Sequence, residues 1–125
     1  MSSEHTDHGR QASAISNGIT RLHREHYGRG ADSARTIIQR DYVVCFLEDL
    51  YTPIERLLIE SGNQETVRST RQIFQQAMRP EFTTVVEGAT GRKVRAFMSQ
   101  CHFDPDMASE VFVLEPEGDD AAPED

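Results

Sequence analysis

The sequence predicts an α+β domain, a four-stranded, largely antiparallel sheet with its helices packed on one face, in the order α-β-β-α-α-β-β. Three observations predict it. Apolar residues recur at steps of three and four in two long stretches, about Gln11–Tyr27 and from about Gln64 to the glycines at 88 and 91. Between and after them lie two pairs of segments rich in Ile, Val, Tyr, Phe and Thr, each pair split by a short turn. The plan of helix, glycine pair, strand, turn, strand occurs twice, with Gly28/Gly30 in the first half and Gly88/Gly91 in the second. Residue identity between the halves is negligible, so the repeat is one of plan.

The first helix carries Ala12, Ile15, Ile19, Leu22 and His26 on one face, and Gly18 weakens its middle by about 1 kcal/mol relative to Ala. Gly28 suits the left-handed residue that commonly follows a helix end. Ser33–Gln39 and Tyr42–Asp49 then read as strands joined at Arg40-Asp41. On the second of these, Val43, Cys45 and Leu47 face one side and Val44 and Phe46 the other, so cover is expected on both faces. Thr52-Pro53-x-Glu55 signals a helix start three ways: a capping hydroxyl, a proline at the first helical position and a glutamate that completes a capping box. Ile54, Leu57 and Leu58 form the apolar face of this short helix, which Ser61-Gly62-Asn63 ends. The long helix that follows buries Val67, Thr70, Phe74, Met78, Phe82, Val85 and Ala89, with Ile73, Ala77 and Val86 widening the stripe. Pro80 removes one backbone bond inside it, and because the apolar phase continues the expectation is one bent helix. Lys93–His102 and Ser109–Glu115 close the chain as a hairpin around Asp104-Pro105-Asp106.

At 125 residues the chain fits one domain, assigned to residues 10–115. Residues 1–9 hold almost nothing to bury, and residues 115–125 hold six acids and no base. Both ends, 1–9 and 116–125, are therefore expected to be disordered tails. Setting those six acids aside leaves 15 acids against 13 bases, so the formal charge of −8 belongs mainly to the C-terminal tail. Such a balance excludes general nucleic-acid binding, which needs clustered positive charge. No apolar run is long enough to span or insert into a bilayer, and the first residues lack the apolar stretch of a signal peptide. The expectation is a soluble cytoplasmic protein that reaches a membrane through a protein partner.

The candidate ligand- or partner-binding residues are Tyr27, Gly28, Arg29, Gly30, Arg35, Arg68, Arg71 and Arg79. In Tyr27-Gly28-Arg29-Gly30, two glycines free backbone N–H groups and Arg29 offers a forked cation, which suits a small anion. A glycine-terminated helix with a solvated arginine fits the same residues, and no phosphate-binding fingerprint is present. Arg68, Arg71 and Arg79 place charge on the polar side of the long helix, for an acidic partner, an anion or plain solvation. His23 and His26 could share a metal, but zinc requires a third ligand that the sequence does not supply, so no metal and no cofactor is assigned. Cys45 and Cys101 read as buried free thiols, no serine lies in a nucleophile elbow, and no catalytic residue is assigned.

Several of these segments carry a family resemblance. Tyr27-Gly28-Arg29-Gly30 with Arg35, Leu50-x-Thr52-Pro53-x-Glu55-x-Leu57-Leu58, Val67-Arg68-x-x-Arg71, Arg79-Pro80, Glu87, Thr90-Gly91-Arg92-Lys93-Val94 and Glu110–Glu115 stand in the order and spacing of the MpsC family. The sequence resembles that family over about residues 10–115, departing at Tyr51, where many relatives have a smaller or aliphatic residue. The resemblance implies association with a Na+-translocating, membrane potential-generating or inorganic-carbon transport system, and it implies no catalytic residues. The function expected is a non-catalytic, self-associating accessory or regulatory protein with membrane-transport subunits as partners. The alternative is a small-anion sensor built on the Gly-Arg-Gly loop and the helix arginines.

Overall fold

The computed structural model describes residues 2–117, with side chains from His8 onward. Its elements are α1 (Ser2–Tyr27), β1 (Ser33–Gln39), β2 (Tyr42–Glu48), α2 (Pro53–Glu60), α3 (Gln64–Ala77), α4 (Arg79–Thr90), β3 (Val94–His102) and β4 (Met107–Leu114). The four strands form one antiparallel sheet in the order β1-β2-β4-β3, so each hairpin contributes an edge strand and the two inner strands join them. The helices cover one face, as the α+β reading expects.

Helix α1 begins at Ser2, not near Gln11, so the segment 2–9 read as a tail is helical. Once a helix is nucleated, each added residue gains a hydrogen bond at modest cost, and no apolar stripe is needed to extend it. Of the C-terminal tail, residues 118–125 lie outside the described residues. Ile15, Ile19 and Leu22 are buried as expected, but His26 is exposed and His23 takes the interior position. Gly18 proves to be a contact point. A Cβ there would lie 2.6 Å from Val85 Cγ1, so the missing side chain lets α4 approach α1.

The single bent helix expected after Gln64 is instead two helices that part at Met78 (φ −97°, ψ 9°). Pro80 sits in the first turn of α4, where the N–H it lacks would have had no partner within that helix. Met78 N–H still bonds Phe74 O and Phe82 N–H bonds Met78 O, which keeps the apolar phase across the break. The stripe itself is rotated. Val67, Arg71, Gln75, Phe82 and Val86 are buried, whereas Thr70 and Ala77 are exposed and Ile73 is 70% exposed. On α2 the apolar face is likewise not the buried one: Ile54 and Leu57 are exposed, Leu58 is half-buried, and Glu55 points inward.

The core joins Ile15, Ile19 and Leu22 to Val43, Cys45 and Leu47 of β2, Phe112 and Leu114 of β4, and Phe82 and Val86 of α4. The other sheet face carries no element of the described chain. Phe46 there is 38% exposed, so the expected cover on both faces of β2 is absent within one copy. The link between β3 and β4 contains a cis Asp104–Pro105 peptide. Its Asp106 carboxylate accepts hydrogen bonds from the backbone of Leu50 and Tyr51.

Candidate functional site

Gly28 ends α1 at φ 82° and turns the chain so that Arg29 points back across the fold. Its guanidinium donates to Tyr51 O at 2.9 Å, to Asp49 O at 2.8 Å and to the Asp32 carboxylate at 3.0 Å. The loop thus clasps the end of β2 to the end of α1, and Arg29 is committed to backbone carbonyls. Gly30 lies where a Cβ would meet Thr20 Cγ2 at 2.6 Å, so it too serves close packing. Arg35 stands on the uncovered sheet face, away from Arg29.

The long-helix arginines have three different fates. Arg79 is exposed at the junction of α3 and α4. Arg68 donates to Cys101 O at 3.2 Å and to Glu65 at 3.3 Å, and lies 4.8 Å over the Phe103 ring. Arg71 is only 1% exposed. It binds Glu55 through two bonds, Nε to Oε2 at 2.8 Å and Nη2 to Oε1 at 2.6 Å, while its guanidinium carbon lies 3.8 Å from the centre of the Tyr27 ring. Glu55 also completes the capping box of α2, accepting from Thr52 N at 2.9 Å. Burial alone would raise the Glu55 pKa, but the bonds from Arg71 and Thr52 outweigh it and hold it below the usual range. This overturns the reading of Arg71 as a polar-side charge; the one signal for its burial is spacing, since residue 71 lies four after Val67 and three before Phe74.

Beside this ion pair lies a second buried polar group that the sequence reading missed. Glu110, on β4, is wholly buried, and neither carboxylate oxygen has a hydrogen-bond partner. Burial pushes its pKa up to about 8, against the pull of the neighbouring Ser99 hydroxyl and the Arg71 charge. His23 Nε2 lies 3.9 Å from Glu110 Oε2. Its Nδ1 is 2.9 Å from Ile19 O, which assigns the proton to Nδ1 and leaves Nε2 as an acceptor. Gln75 Nε2 lies 3.5 Å from that acceptor. Burial lowers the His23 pKa to about 4, so at neutral pH this group is a neutral carboxyl beside a neutral imidazole. The only hint of it in the sequence was a glutamate within the apolar alternation of Ala108, Phe112 and Leu114.

Two adjoining cavities of about 230 and 410 Å³ lie between α3 and β3 and share Gln72, Ser99 and Gln100. Arg68 and Arg71 line the smaller and Arg79 the larger, so three of the candidate arginines come to one cleft while Arg29 and Arg35 lie elsewhere. Tyr27 reaches the cluster through its ring contact with Arg71, and its hydroxyl is buried without a partner. Among the described residues no group of three or more His, Cys, Asp or Glu could hold a metal ion. Cys45 is buried and Cys101 half-buried, both are free, and burial raises both thiol pKa values, which disfavours a reactive thiolate. No helix among the described residues is long and apolar enough to cross a membrane.

A family model described as "Na+-translocating membrane potential-generating system (MpsC)" matches residues 7–116. The chain belongs to the MpsC family. The MpsC match runs from within α1 to just past β4 and includes the Arg71–Glu55 pair and the Glu110–His23–Gln75 group. The chain is also similar to the "Uncharacterized protein YbcI" of Bacillus subtilis (strain 168), 30% identical over 88 residues, which is 68% of this chain and 69% of that protein. No solved structure matches the chain.

Proposed function

We propose that this MpsC-family protein is a non-catalytic accessory or regulatory component of a membrane potential-generating system that moves Na+, or of a linked inorganic-carbon transport system. The observation that carries the reading is the state of the reactive groups within a fold the family model spans. Arg71 is neutralised by Glu55, Arg29 bonds carbonyls, both thiols are raised, and Glu110 and His23 are buried and uncharged at neutral pH. Catalysis needs a poised group that substrate can reach. Association needs only surface. Deleting the gene in its host and following membrane potential with a voltage-sensitive dye, in Na+ and in K+ media, tests this. The expected result is a lower potential in Na+ medium, restored by the intact gene, and a growth defect relieved by added CO2 marks the inorganic-carbon branch. An unchanged potential and unchanged growth refute the reading.

One observation favours a second reading, a small-anion sensor. Arg71 Nη1 is buried without a partner in a side chain that lines the 230 Å³ cavity beside Arg68. A bicarbonate or carboxylate there would pair with a guanidinium donor that is already desolvated. Thermal-shift measurements with bicarbonate, phosphate and acetate, on the intact protein and on Arg68→Gln, should show an anion-dependent rise that the variant loses. No rise with any anion removes this reading.

A further inference from the structure

We propose that the uncovered face of the sheet is a homodimer interface, in which two copies of this chain pack sheet against sheet. The register sets four apolar side chains in one row across all four strands. Ile37 lies beside Val44, Val44 beside Val111, and Val111 beside Met98. Phe46 flanks this row on one side, and Tyr42, Val113 and Ala96 flank it on the other. Ile37 is 49% exposed and Met98 54% exposed in the single copy. An antiparallel sheet with one solvated face normally alternates apolar inside with polar outside. Here the two inner strands put Val44, Phe46, Val111 and Val113 on the outside, the pattern of a sheet covered on both faces.

The size of the face fits a second sheet. Four strands about 4.8 Å apart, seven to nine residues long at about 3.4 Å per residue, give a face near 19 Å by 27 Å. Two such faces bury about 1,000 Å² in projection, before side-chain relief is counted, which reaches the lower bound for a specific interface. Aligned sheets with interdigitated side chains pack about 10 Å apart in β-sandwiches, so no new architecture is required. Charge is also compatible. Arg35 is the charged side chain nearest the apolar row. Under a two-fold axis through the centre of that row, along or across the strands, it meets Gln100 or Gln39 of the other copy. The segment 118–125 is Gly-Asp-Asp-Ala-Ala-Pro-Glu-Asp, which lacks the side chains to cover an apolar face. The proposal is independent of the transport reading.

Sedimentation velocity and light scattering on the intact chain test it. The expected species has twice the chain mass of 14.1 kDa. Ile37→Lys combined with Met98→Lys should give a monomer with unchanged far-UV circular dichroism. Leu57→Lys, on the helical side, should remain a dimer. Should the double variant misfold, Met98→Lys alone on the edge strand replaces it, and the expected result is a dimer dissociation constant raised at least tenfold. A wild-type monomer at every concentration overturns the proposal. So does a folded lysine variant that dimerises as tightly as wild type, or a dimer that Leu57→Lys abolishes.

Discussion

Replacing Glu110 with glutamine should change how stability depends on pH, and by a predictable amount. In the folded protein burial holds the Glu110 pKa up at about 8 and the His23 pKa down at about 4, while their ordinary values of 4.5 and 6.5 apply once the chain unfolds. Between pH 4.5 and 6.5 the folded pair binds one proton, on Glu110, and the unfolded pair also binds one, on His23. The pair therefore contributes no slope there. Above pH 6.5 the folded state keeps the Glu110 proton and the unfolded state binds none, so stability falls as pH rises toward 8. At about 1.4 kcal/mol per pH unit, the loss over this window is about 2 kcal/mol. Below pH 4.5 the unfolded pair binds two protons against one, and stability falls as pH drops toward 4. In Glu110→Gln only His23 remains, whose contribution rises from pH 4 to 6.5 and is then flat. Urea melts of both proteins from pH 5 to 8.5 give the comparison, since other groups titrate alike in each. The stability difference, variant minus wild type, should grow by about 2 kcal/mol between pH 6.5 and 8. Parallel curves across that window would show that Glu110 is ionised in the folded protein and refute the reasoning.

Four further outcomes follow from the packing. Glu55→Ala leaves Arg71 buried with no counter-charge and should destabilise by about 3–5 kcal/mol in a urea melt; a loss under 1 kcal/mol would mean Arg71 swings out to solvent. Phe82→Ala, at a fully buried position, should cost about 3–5 kcal/mol, and Phe74→Ala less, because Phe74 is half-buried. Gly18→Ala would gain about 1 kcal/mol in an isolated helix, yet the 2.6 Å approach of Val85 should make it destabilising, with Val85→Ala restoring the loss. Arg29→Gln should leave the far-UV spectrum unchanged but lower the thermal midpoint by a few degrees, since it removes hydrogen bonds to Asp49 O, Tyr51 O and Asp32. An unchanged midpoint would mean the clasp contributes nothing.

Where one local signal settles an element, the sequence was enough. Ser33–Gln39 was read at its observed bounds, and Thr52, Pro53 and Glu55 form the capping box their spacing announces. Periodicity was less decisive on α3, because a helical stripe has width and hydrophobicity alone does not set its centre. Thr70 and Ile73 were read as buried in place of Arg71 and Gln75, since a charged residue is a poor guess for an interior without knowledge of its partner. That partner, Glu55, lies sixteen residues earlier, on a helix whose exposed Ile54 and Leu57 had suggested another inward face. Tertiary contact decided the site arginines in the same way. Arg29 reaches Tyr51 O across the fold, and nothing near Gly28 in sequence identifies that carbonyl. Glu110 and His23, on β4 and α1, come together only in the folded chain, a pairing invisible in either segment alone.

The two duties of Glu55 have a consequence for how the protein opens. Helix α2 has eight residues, too few to persist alone, and its inward anchor is a carboxylate that holds both its own N-terminus and Arg71 of α3. Fraying of α2 would strand a desolvated guanidinium, so the helix and the middle of α3 should open together. Amide exchange in α2 should accordingly be slow for so short a surface helix and should track the amides around Arg71. An aspartate at position 55, one methylene shorter, would have to choose between the two tasks. The start of α2 and the centre of α3 should thus behave as one cooperative unit, whose integrity depends on the reach of a single side chain.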